Sequence, residues 1–252
     1  MASMVHFIRT RPAKERTNRD LIRFINQTPS NEFRAMLNQH ADFRAMTSYI
    51  ASDESGQTQG VMSELLQVTR DIFIGNFAKR GTLGMRNLVY QKGGKIVFIE
   101  YDLSIGAMLS PVYTLLFDQA IKEALCRERS LGNVYFITDE FRLLPNLQHI
   151  DDAVNFGRSL GVKFMIGIQN VEQIYEIYGA QRARSIMSGF LSSFMFRVTD
   201  ASSKQYIKDV FGKNRKLEGY TPIVQGRGMV EESREGNVVE DWNISRLKTG
   251  QS

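Results

Sequence analysis

The chain has 252 residues, 42% hydrophobic and 23% charged, which supplies a sizeable core and rules out a mostly disordered chain. A single cysteine, Cys126, and three scattered histidines (His6, His40 and His149) exclude an intramolecular disulfide framework, a multi-cysteine zinc site and a histidine-based metal enzyme, and fit a reducing compartment. The formal net charge of +5 permits an anionic partner without requiring one, and the longest uncharged stretch, Leu103 to Phe117, falls short of a membrane helix and is broken by Pro111.

Met1-Ala2-Ser3 ahead of Met4 resembles a cloning remnant, and the apolar stretch within Met1 to Arg11 is too short for a signal peptide. Arg9, Arg11, Lys14, Arg16, Arg19 and Arg23 form a basic run tempered by Glu15 and Asp20; it is either a solvated helical face or a nucleic-acid contact. Thr17-Asn18 caps a predicted helix carrying Leu21, Ile22, Phe24 and Ile25. Thr28-Pro29-Ser30 breaks it, and a second helix follows with Phe33, Met36 and Leu37 at helical spacing. A third is expected after a Gly56–Gly60 linker, with Val61, Leu65, Leu66 and Val68 along one side. The first third therefore reads as a helical subdomain, assigned to residues 1–85.

From Val89 the pattern changes, and residues 86–252 read as a second region. Lys95 to Tyr101, Val134 to Thr138, Val162 to Ile168 and Phe194 to Val198 are short apolar runs that predict buried strands. Ser110-Pro111 predicts a helix start, with Leu115, Leu116, Ala120 and Leu125 inward and Lys122, Glu123, Arg127 and Arg129 outward. Further helices are expected over about 147–159, 171–179, 181–190 and 202–211. This alternation predicts an α/β fold with a mostly parallel sheet. A second basic cluster, Lys204, Lys208, Lys213, Arg215 and Lys216, leads into an acid-containing tail from Lys216 to Ser252, read either as hairpins closing the sheet edge or as a partly flexible end.

The most informative chemistry lies where Val134-Tyr-Phe-Ile-Thr138 runs into Asp139-Glu140. An apolar strand ending in Asp-Glu is the Walker B pattern: the strand holds two carboxylates rigidly, one for a magnesium hydration shell and one to polarise an attacking water. The alternative is a capping Asp139 and a solvated first-turn Glu140. Gln169 ends the next strand, where parallel pairing would set it beside Asp139, either to contact phosphate and position water or simply to cap a helix. Arg158, in Gly157-Arg-Ser-Leu-Gly161, is either a surface arginine or a finger reaching a neighbour's γ-phosphate, a role that contributes on the order of 10³ to 10⁵ in rate.

Phe136-Ile-Thr-Asp-Glu-Phe141, Leu147, Gly157-Arg-Ser-Leu-Gly-Val162, Gln169 and Tyr178-Gly179 together resemble the type IV coupling protein family, the TraG/TraD class of conjugation motors. Phe196-Arg-Val-Thr-Asp-Ala201, Glu240-Asp-Trp-Asn-Ile244 and Leu247 to Gly250 extend the resemblance, and Asn18 to Arg80 resembles part of that family's all-helical domain. The resemblance implies a RecA-like P-loop NTPase core in which Asp139 orders magnesium through water, Glu140 activates water, Gln169 senses phosphate and Arg158 acts in trans. It implies ATP and Mg2+ as cofactors of the intact protein, and a hexamer as the working assembly. It implies single- or double-stranded DNA bound without sequence specificity, relaxase and other relaxosome proteins, and secretion-channel components as partners. The intact protein would work at the cytoplasmic face of the membrane.

The resemblance has one departure. A phosphate-cradling GxxxxGK[ST] loop occurs nowhere in the sequence, and Gly212-Lys213-Asn214 lacks both the hydroxyl and the spacing. In the family this loop precedes the helical insertion, so the chain is expected to be a C-terminal portion of a motor, soluble, without cofactor and inactive alone. Two other readings stand beside it: a different hexameric translocase of the HerA/FtsK group or a secretion ATPase, and a non-catalytic module that binds DNA or the relaxosome. No zinc finger or RNA-recognition motif is present, so no DNA-contacting residue is assigned and any DNA binding should be salt-sensitive and sequence-tolerant.

Overall fold

The structure is a computed structural model that describes residues 2–52, 54–91, 93–144, 146–220 and 230–248. The chain divides into two units, Met1–Leu88 with Lys95–Tyr113, and Val89–Gly94 with Thr114–Ser252.

The first unit is helical: α1 (Ala2–Thr10), α2 (Asn18–Gln27), α3 (Ser30–Asn38) and α4 (Gly56–Ile72), with a 3₁₀ segment over Ala41–Tyr49; the short α5 covers Met85–Tyr90. Thr17 caps α2 as its sequence predicts, in a box where its hydroxyl accepts from the Asp20 amide and the Asp20 carboxylate accepts from the Thr17 amide. Phe7, Phe24, Ile25, Phe33 and Ile50 form the core, with Leu21, Met36, Leu37, Met62, Leu65 and Leu66 packed against it. Ala2 to Thr10 form a helix whose Phe7, 3% exposed, closes the core against the Phe24 ring at 5.3 Å. One local expectation changes. Gly56 to Gly60 is the first turn of α4 instead of a linker, held there by the buried Thr58 hydroxyl, which accepts from the Ala51 amide at 3.1 Å.

The long α6 (Gly106–Leu125) starts before Ser110-Pro111 and carries Pro111 inside it. Its start is captured by an Asx turn in which Asp102 accepts from the Ser104 amide at 2.8 Å, while the Gly106 amide bonds the Asp102 carbonyl. In the second unit, the buried face of α6 is Ala120, Ile121 and Ala124; Leu115 is exposed. Arg127, expected outward, is buried with Nη2 donating to the Leu131 carbonyl at 2.6 Å.

Strand β1 (Val134–Thr138) and strand β2 (Val162–Ile166) pair in parallel, Val134 opposite Val162 and Thr138 opposite Ile166. Between them lies α7 (Ile150–Phe156), followed by a 3₁₀ turn over Gly157–Leu160 that Gly161 leaves at φ 82°, in the left-handed region a glycine favours. Helix α7 starts later than expected because the Leu147 and Gln148 carbonyls accept from Arg182 and the His149 amide donates to Asp118. Then come α8 (Glu172–Tyr178), α9 (Ala180–Ser188) and α10 (Ala201–Phe211), close to their expected spans. Strands β3 (Lys213–Tyr220) and β4 (Val230–Asn237) form an antiparallel hairpin, and α11 (Asp241–Arg246) follows.

Three expectations about strands are corrected among the described residues. Lys95 to Tyr101 and Phe194 to Val198 form no strand, and Phe98 and Phe194 are 89% and 79% exposed. An extended apolar run becomes a strand only beside a partner that completes its hydrogen bonds, and the parallel sheet here consists of β1 and β2. Nor is β1 buried on both faces: Phe136 and Thr138 are buried, but Tyr135 and Ile137 are exposed. The tail hairpin is a sheet of its own and does not close the edge of the parallel one. Residues 249–250 of the expected closing segment, and 221–229 and 249–252 of the expected tail, lie outside the described residues.

Candidate active site

The parallel ladder continues past the ends of both strands and fixes the corner where the carboxylates sit. The Gly167 amide donates to the Thr138 carbonyl at 2.7 Å, and the Phe141 amide donates to the Gly167 carbonyl at 2.9 Å. Asp139 and Glu140 are thus clamped against Gly167 at the C-terminal edge. A Cβ at position 167 would lie 2.1 Å from the Asp139 carbonyl oxygen, so the approach requires glycine. The sequence carried a signal for this residue, an isolated glycine inside an apolar run, which marks a close backbone approach.

Beyond the corner the chain turns through a 3₁₀ segment, Phe141–Leu143, anchored from below. The Phe141 ring is 1% exposed and stacks on Tyr178 with centroids 5.8 Å apart. The Tyr178 hydroxyl donates to the Leu144 carbonyl at 3.2 Å and accepts from the Leu147 amide at 3.3 Å. Burial pushes this phenol up to about 12, so it stays a neutral donor. The loop after β2 is held as firmly: the Gln173 amide, in the first turn of α8, donates to Asn170 Oδ1 at 3.1 Å, and the Val171 amide donates to the buried Ser203 hydroxyl at 3.1 Å.

These two supports bring Gln169 to Glu140. The Gln169 Nε2 donates to Glu140 Oε2 at 2.8 Å, although 29 residues separate them. The other carboxylate oxygen, Oε1, is buried without a hydrogen-bond partner, an acceptor that a water or ligand donor would satisfy. Asp139 is exposed at the same strand end. Arg158 is not part of this cluster. It is exposed in the 3₁₀ turn preceding β2, and the Val134 amide bonds the Gly161 carbonyl at the start of both strands. Arg158 and Gln169 therefore sit at opposite ends of β2, about 13 Å apart along the strand direction alone.

No group of three or more His, Cys, Asp or Glu able to hold a metal occurs among the described residues. The corner still fits magnesium, which keeps most of its water and needs only one or two protein carboxylates beside substrate phosphates. No helix among the described residues is long and apolar enough to cross a membrane.

Residues 2–235 match the family described as the type IV secretion-system coupling protein DNA-binding domain. The coupling protein TraD of Escherichia coli (strain K12) is 26% identical over 129 residues, which is 51% of this chain and 18% of TraD. Among solved structures, the bacterial conjugative coupling protein TrwBdeltaN70 in its unbound monoclinic form superposes with a TM-score of 0.71 at 20% identity, over 98% of this chain and 56% of that one. The plasmid coupling protein TrwB in complex with ADP and Mg2+ gives 0.67 at 20% identity, over 92% and 53%. The chain thus spans about a fifth of the TraD length and just over half of the TrwB chain. The shared fold is α/β with a parallel sheet.

Proposed function

The chain belongs to the type IV secretion-system coupling protein DNA-binding domain family, and from that premise we propose that it is part of a DNA-translocating ATPase that couples a DNA or relaxase–DNA substrate to a conjugation channel. In this reading residues 1–85 are part of an all-helical subdomain, and 86–252 are the C-terminal part of a RecA-like motor working as a hexamer at the inner face of the membrane. Relaxosome proteins and channel components are its partners. The observation that carries the reading is the Gln169–Glu140 hydrogen bond beside Asp139 at the edge of a parallel sheet.

Each residue has a task. Asp139 would hold magnesium through its water shell, and that ion, when bound, neutralises charge developing on a nucleotide's phosphates. Glu140 presents Oε1 as the acceptor for the proton of an attacking water. Gln169 fixes the rotamer of Glu140 through Oε2, and its neutral amide exchanges that bond for a phosphate oxygen without changing the charge of the site. Arg158, at the far end of β2, acts on a neighbouring copy's nucleotide. TrwB has been solved with ADP and Mg2+, which supports the same cofactors here.

The sequence holds no GxxxxGK[ST] loop, so the 252 residues by themselves neither bind ATP tightly nor hydrolyse it. The same fact favours a second reading, a module that binds DNA or the relaxosome without catalysis. Replacing Glu140 by Gln at the native locus separates the two. For a motor, conjugal transfer falls by on the order of 10² to 10⁴ with the protein still present at its normal level. Unchanged transfer rejects the catalytic assignment and leaves the binding module.

A further inference from the structure

We propose that Arg9, Arg11, Lys14, Arg16, Arg19 and Arg23 form a seat for the phosphodiester backbone of nucleic acid, bound without reading its bases. The choice of nucleic acid as the partner rests on the DNA-transfer reading above. The choice of this surface rests on the distribution of charge in the structure.

Residues 9–23 hold these six cations against two acids, Glu15 and Asp20, a net +4 of the chain's +5 within fifteen residues. All six cationic side chains are exposed. They follow one path, from the end of α1 through the Pro12 turn onto α2. Arg16 Nε donates to the Arg11 carbonyl at 2.6 Å, which draws the two arginines together. The Arg11 guanidinium lies 5.7 Å from the Phe7 ring centroid and 6.0 Å from that of Phe24, so its position is held from below by the core. Arg19 and Arg23 stand one turn apart on α2. Asp20 sits in the capping box with Thr17 and also feels the charges of Arg23 and Arg11, so it offsets one of the six cations, as the net +4 already counts.

The second basic cluster behaves differently. Lys208 pairs with Asp241 at 3.0 Å, Lys213 with Glu235 at 3.2 Å, and Lys216 with Glu240 at 2.9 Å. Acids of the tail therefore pair with three of the cluster's five cations, and a phosphate would have to displace them. On α1 and α2, the apolar side chains Phe7, Phe24 and Ile25 are turned into the core; only Met4 and Ile8 of α1 are large exposed apolar residues there. The surface offers charge with little apolar area, which suits a phosphate backbone better than the interior of a lipid headgroup layer.

The test measures binding of labelled oligothymidylate, a labelled duplex and phosphatidylglycerol vesicles to the full chain across a salt series. The variants are K14Q/R19Q/R23Q, and K213Q/R215Q as the control in the hairpin. Arg11 and Arg16 stay in place because they pack against the core and the backbone. The triple variant should lose about tenfold or more in affinity for the oligonucleotide. Its plot of log affinity against log salt should be shallower by about 2, given roughly 0.7 per lost single-strand phosphate contact. The hairpin variant should bind as the wild type does, and circular dichroism should show both folded. DNA binding that survives in the triple variant, or falls equally in the hairpin variant, overturns the seat while leaving the DNA-transfer reading intact. Wild-type chain that binds the vesicles and neither nucleic acid overturns the seat and counts against that reading too, which the Glu140 transfer assay judges separately.

Discussion

A methyl group added at position 167 would press on the Asp139 carbonyl from 2.1 Å, and in that contact the methyl is fixed directly to Cα while its partner is backbone. Neither can rotate away. Gly167→Ala should therefore cost about 1 to 3 kcal/mol or more, read by urea denaturation of the chain. A stability equal to wild type would mean that the corner is not clamped. The chemistry of the site was legible one residue at a time, because strand-end carboxylates and a strand-end amide are recognisable in a linear pattern. That Gln169 bonds Glu140 was not legible: the expectation had set it beside Asp139, and the choice between adjacent carboxylates depends on how the turn after Thr138 aims each side chain.

Helix α1 shows what an element owes to its neighbours. Its His6 is 9% exposed, with Nδ1 3.1 Å from Nε2 of His40, so one of the two nitrogens donates to the other. Arg9 Nη1 stands 3.4 Å from His40 Nδ1, which adds a fixed positive charge to the pair. Burial, and then His40, lowers the His6 pKa below its ordinary 6.5. As pH falls through 6.5 the unfolded chain takes up this proton before the folded one does, so the helical unit is most stable above that pH and weakens below it. The melting temperature should drop on acidification to about pH 5.5, and His6→Gln should reduce the drop; an equal drop in both proteins would assign the effect elsewhere. Helices whose caps lie in sequence, such as α2 with Thr17 and α10 with Asp200, were predictable nearly to the residue. The runs at 95–101 and 194–198 were not, since a strand's ladder partners lie elsewhere in the chain.

At the scale of the whole molecule, the parallel sheet is unusual. Such sheets are ordinarily covered on both faces, yet Tyr135 and Ile137 are each 66% exposed and Met165 is 65% exposed. Apolar side chains displayed on short strands favour association. Light scattering should show the isolated chain self-associating with rising concentration, and Ile137→Thr with Met165→Thr should suppress this. Association unchanged in that double variant would place the sticky surface somewhere other than this face.

The amino-acid sequence alone determined the α/β class, most of the helices, the family resemblance and the strand-end carboxylates and amide of the candidate site, because these depend on local spacing and residue type. Only the tertiary structure decided which apolar runs become strands, which carboxylate Gln169 holds, and which of the two basic clusters has its lysines paired with acids. Each of those outcomes depends on a partner tens of residues away: a second strand for a ladder, a backbone corner for a side-chain direction, and the acids of β4, Glu240 and α11 for the lysines beside them.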